Sequence, residues 1–131
     1  MAIIYDTKLT EGFDYIPVDQ REDKKPFSVK LKPIASRELI KLQDNLLQRD
    51  SEDKISLKTG SYNLAACKLA ILGWSNITDR AGKEIKPEFS KDGRILDKSL
   101  DYLPTKYFDE IANVAISVSN DPSMIAMFTS N

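Results

Sequence analysis

The stretch Leu69-Ala-Ile-Leu-Gly-Trp-Ser-Asn-Ile-Thr-Asp-Arg-Ala-Gly-Lys-Glu-Ile85 joins the end of an apolar run, the chain's one tryptophan and a turn signal. From Ser61 to Leu72 the residues are apolar nearly all round, interrupted mainly by Asn63 and Lys68, which predicts a central buried helix. Gly73 stands where a helix stop belongs. Trp74 then either plugs the corner where the chain turns or offers a stacking face to a ligand. Asp79 leads and Gly82 closes a segment with the signature of a type I turn followed by a left-handed residue, and Ile77 and Ile85 flank it, so a short reversal is expected there.

Working outward, Phe27-Ser-Val-Lys-Leu-Lys32 alternates at period two, the pattern of a half-buried strand with Lys30 and Lys32 on its wet face. Phe13 to Val18 supplies an antiparallel partner, pushed to an edge by Pro17. The charged segment Asp19 to Lys25 reads as a loop. After Pro33, Ser36 is the expected N-cap and Glu38 complements the helix dipole in the first turn. Leu39, Leu42 and Leu46, flanked by Ile40 and Leu47, predict an amphipathic helix running to about Arg49, with Asp50 to Lys54 as a charged loop. Pro87 to Gly93 reads as another connection. Leu96, Leu100 and Leu103 suggest a short helix ended by Pro104. Thr105 is the expected cap of a last long helix, whose Phe108, Ile111, Ala112, Ala115 and Val118 share a face. The chain turns at Asp121-Pro-Ser123 and reaches the apolar patch Met124-Ile-Ala-Met-Phe128, which either docks back or anchors a partner.

At 131 residues, with 41% hydrophobic and 30% charged residues, the chain suits one ordinary globular domain. The expected fold is α+β and mainly α-helical: a small N-terminal β-hairpin or short sheet packed on a bundle of about four helices. Residues 1–25 form an N-terminal extension with an edge strand, 26–120 the globular helical domain and 121–131 an apolar tail. The formal net charge of -1 comes from interspersed acids and bases, so no clustered positive footprint for nucleic acid exists. The opening residues carry no secretory pattern and no run approaches a membrane span, which predicts a cytosolic protein.

The chain has no histidine, which removes the commonest general base, the usual nitrogen ligand of metals and every Ser-His or Cys-His arrangement. No phosphate-binding glycine loop and no calcium-loop pattern occurs, and no cofactor is expected. Ser51 to Lys54 and Lys58 to Gly60 match S-x-x-K and K-T-G, but they lie almost adjacent in a polar linker and read as coincidence. The carboxylate pairs Asp97/Asp101 and Asp109/Glu110 read as solvated helix positions. The single cysteine, Cys67, reads as a buried small hydrophobe, and the Asn76-Ile-Thr78 sequon as accidental.

The order of these parts resembles the tail assembly chaperones of long-tailed, siphovirus-like bacteriophages. The segments that carry the likeness are Phe27 to Leu39, the helix ending in Ile71-Leu-Gly-Trp74, the Ile77-Thr-Asp-Arg-Ala-Gly82 turn, and Leu100-Asp-Tyr-Leu-Pro104 followed by a closing helix. It covers roughly residues 26–120. The resemblance implies a non-enzymatic protein of the host cytoplasm that binds and solubilises the tape-measure protein and helps recruit the tail tube protein. Trp74, Met124, Ile125, Met127 and Phe128 are the candidate partner-binding residues, through contacts with the tape measure or between copies. A structural virion subunit (tail tube, terminator or connector) is the alternative, with a small enzyme or host-directed inhibitor behind it.

Overall fold

A computed structural model describes residues 11–44, 47–49, 55–57 and 59–129. The expected charged loop at 50–54 falls outside them.

The chain is α+β and mainly helical. Strand β1 (Phe13–Tyr15) is followed by a 3-10 turn at Val18–Gln20, and β2 (Ser28–Leu31) pairs with it antiparallel, Phe13 opposite Leu31 and Tyr15 opposite Val29. The alternation of Phe27 to Lys32 behaves as its pattern requires: Val29 and Leu31 are buried while Lys30 is exposed. Helix α1 (Ser36–Asp44) starts at Ser36 itself, with Leu39 N–H donating to Ala35 O at 2.9 Å, so Ala35 takes the capping place expected of Ser36.

That helix ends earlier than its leucine pattern suggests. Leu47–Arg49 is a strand, β3, paired antiparallel with β4 (Ile55–Leu57) in a separate two-stranded sheet. Leu, Gln and Arg all favour helix, but intrinsic preference is worth only tenths of a kcal/mol per residue, so strand pairing overrides it.

The segment from Ile71 to Ser75 departs further from its helical pattern. Helix α2 (Thr59–Ala70) stops before Ile71, and Ile71–Ser75 forms β5, the third strand of a sheet ordered β1-β2-β5. Helix passes to strand without a loop: Ala70 O, one of the carbonyls a helix end leaves unpaired, accepts from Lys32 N–H at 2.9 Å. Lys30 lies opposite Gly73 and Leu31 opposite Ile71, so Leu72 is an extra residue in β5. This bulge turns both Ile71 and Trp74 inward although they are three apart, a spacing that a regular strand would send to opposite faces. Gly73 is therefore a strand residue and no helix stop. Gly12, at φ +84°, sits against the bulge, and a Cβ there would meet Leu72 Cδ1 at 2.7 Å and Leu31 O at 2.8 Å.

Two reversals of one design follow. Asp79 N–H donates to Lys83 O and Gly82 N–H to Asp79 O; eleven residues on, Ser90 N–H donates to Arg94 O and Gly93 N–H to Ser90 O. Gly82 and Gly93 take φ of +84° and +81°, the left-handed state that glycine reaches without a Cβ clash. The second reversal, expected only as a connection, delivers the buried Ile95 to the core.

Helix α3 (Asp97–Leu100) is a single turn that buries Ser99 and Leu100. Helix α4 (Lys106–Asn120) buries Tyr107, Ile111, Ala112, Val114, Ala115 and Val118, and packs mainly on α2. Thr105 stands at its N-cap but with helical dihedrals and no side-chain bond, so it does not cap as expected. Asp121 instead caps the next turn, accepting from Ser123 N–H at 3.2 Å, and the five-residue α5 (Ile125–Thr129) lies against β1.

Candidate functional site

The apolar terminus combines docking with exposure. Phe128 is half-buried against the core and meets the Tyr15 ring edge-to-face, centroids 6.1 Å apart. Met124 and Ile125 are half-buried, and Met127 is 59% exposed. The turn thus presents methionine and isoleucine surface on an element whose Phe128 ring packs against the sheet.

Trp74 does not join this patch. It is 8% exposed, its indole Nε1–H donates to Ile85 O at 2.8 Å, and it lies on β5, across β2 from the strand that α5 touches. Of the two roles open to it, the structure gives it the core corner. The indole contact also closes the opening stretch on itself, joining β5 to the far side of the first reversal.

The carboxylate pairs separate in the same way. Asp97 forms an exposed ion pair with Lys68 at 2.8 Å, and Asp109 accepts from Asn63 Nδ2–H at 2.7 Å. Glu110 is not the solvated residue expected. It is half-buried, and one of its carboxylate oxygens accepts both from the Tyr15 hydroxyl and from Val18 N–H, joining β1 and the turn after it to α4. Burial, with the Glu110 carboxylate adding to it, pushes the Tyr15 hydroxyl up to about 12.

A second polar knot was invisible in the charged loop at 19–25. Lys106 Nζ–H donates to Asp19 at 2.8 Å and holds its carboxyl below the ordinary range. The Tyr107 hydroxyl donates to the same carboxylate at 3.0 Å. Gln20 accepts from Phe27 N–H through its side-chain oxygen at 3.2 Å and donates to the Tyr107 hydroxyl oxygen at 3.1 Å. These contacts satisfy one another and fasten the N-terminal loop to α4; none aims a free nucleophile or base into a cleft.

Cys67 is buried, and burial pushes its thiol up to about 12, far from the thiolate that nucleophilic chemistry needs. Among the described residues, no group of three or more His, Cys, Asp or Glu side chains could hold a metal, and no buried side-chain nitrogen or oxygen lacks a partner. No helix among them is long and apolar enough to cross a membrane. No family model, curated protein or solved structure matches the chain.

Proposed function

We propose that this protein is a non-enzymatic tail assembly chaperone of a long-tailed bacteriophage, acting in the host cytoplasm to bind and solubilise the tape-measure protein and to help recruit tail tube subunits. The observation that carries this reading is the order of sequence segments across residues 26–120: a period-two stretch into a helix, an apolar run ending in Gly-Trp, an Asp-x-x-Gly turn, Leu-x-x-Leu-Pro and a closing helix. Their resemblance to the chaperones is one of sequence order. The surface of α5 supports it independently. A chaperone must hold apolar segments reversibly, and flexible methionine side chains adapt to varied apolar partners. In this role Met124, Ile125, Met127 and Phe128 are the residues that supply the contact.

Co-expression with a tape-measure segment tests the proposal. The segment is expected to stay soluble and to co-purify with the chain, and the chain to be missing from purified particles. Insoluble tape measure in the presence of the chain defeats the reading; retention of the chain in virions favours a tube, terminator or connector subunit instead. Met127→Glu places a charge on a largely exposed apolar position and should weaken co-purification of the tape-measure segment.

A further inference from the structure

Register separates the two faces of the β1-β2 ribbon: Phe13, Tyr15, Val29 and Leu31 face the core, and Asp14 with Lys30 faces outward. Phe128 bridges these faces. Its ring meets Tyr15 on the core side, and with Thr129 it also lines a shallow recess of about 450 Å³ walled by Asp14, Ile16 and Ser28. Helix α5 therefore straddles the β1 edge of the sheet, the place where exposed strands need a cover.

This cover is lightly held. It has five residues, well short of what an isolated helix needs to persist in water, and none of them is fully buried. Asp121, in extended conformation at φ −147°, ψ 93°, separates α4 from the capped turn that leads into α5.

We propose that α5 is a self-ligand: the seat of Phe128 on β1 is a docking site for an amphipathic helical segment of the partner that presents an aromatic side chain, and α5 occupies that seat until such a segment displaces it. The occupant follows from the resident, since the seat already holds a short helix whose Phe128 ring meets Tyr15. The inference rests on the chaperone reading for the identity of the partner, and on the geometry alone for the seat. A protein whose site is covered by its own chain binds with an affinity reduced by the uncovered fraction, so emptying the seat strengthens binding in trans.

The test uses the full-length chain and a synthetic peptide of residues 121–131. Phe128→Ala removes the ring from the seat and leaves the Asp121 turn and the other residues of α5 unchanged. The peptide is expected to bind this variant about tenfold or more tightly than it binds wild type, shifting the amide resonances of Asp14, Ile16 and Ser28, and a peptide carrying the same Phe→Ala change is expected not to shift them. A folded Phe128→Ala chain that ignores the peptide, or equal binding by wild type, overturns the proposal. A tape-measure helix that co-purifies with the chain yet does not displace the peptide from Phe128→Ala also overturns it, while leaving the chaperone reading intact. Peptide binding at these resonances with no tape-measure binding supports the seat and defeats the chaperone reading.

Discussion

Single residues in this protein divide into those that fill the core and those that fix a conformation. Trp74 belongs to the first group: Trp74→Phe removes an indole donor and part of a buried ring, and should cost about 1–3 kcal/mol in chemical denaturation. The glycines show how space and conformation separate. Gly82→Ala meets nothing within 4 Å, so its cost is that of the left-handed backbone, about 1–2 kcal/mol. Gly12→Ala has a similar φ but drives its Cβ into Leu31 O and Leu72, and should lower the denaturation midpoint further than Gly82→Ala does. Titration adds a third kind of residue effect. Tyr15 and Cys67 hold their protons more tightly when folded, each up to about 12, than the ordinary values of 10.0 and 9.0. The unfolded chain therefore loses these protons first, and their contribution, fully present below pH 9, should fade as pH rises from there toward 12. Denaturation midpoints measured across this range should fall, and less steeply in Tyr15→Phe.

Among the elements, β5 explains why part of the fold was hidden. Ile71 and Trp74 are spaced as neighbours on a helix face, and they follow a true helix without a break, so periodicity extends α2 through them; the bulge at Leu72 produces that spacing in a strand. By contrast Phe27 to Lys32 is regular, and its period-two pattern reads correctly. The Asp79 turn is legible from Asp and Gly alone, whereas Ser90 to Gly93 carries the same x-x-Gly frame with a weaker leading residue and is easily passed over. Helices α2 and α4 meet through small residues, with Ala66, Ala70, Ala112 and Ala115 all fully buried. Ala112→Leu should overfill this contact and cost about 1–3 kcal/mol by thermal or chemical unfolding.

Across the whole molecule, distant segments are tied by polar contacts that no local pattern announces. Glu110 holds β1 and the Val18 turn to the last long helix, and Asp19, Gln20, Tyr107 and Lys106 do the same for the loop that follows. Glu110→Ala leaves the buried Tyr15 hydroxyl and Val18 N–H without their acceptor; a loss of about 1–3 kcal/mol is expected by denaturation. If residues 13–20 belong to the same cooperative unit as α4, amide exchange across both should quicken together in that variant.

The sequence by itself determined the mainly helical α+β class, the antiparallel pairing of Phe13 to Tyr15 with Ser28 to Leu31, the buried face of α4 and the first reversal, because each is written in local periodicity or turn chemistry. It also marks the terminal apolar residues without deciding whether they dock or protrude. Only the tertiary structure decided that Ile71 to Ser75 is a strand, that Leu47 to Arg49 leaves the helix, that Trp74 is closed in the core and that Phe128 sits across the β1 edge while Met127 faces outward. Each of these depends on partners far away in the chain, whose pairing and burial outweigh the tenths of a kcal/mol by which a local sequence prefers one conformation to another.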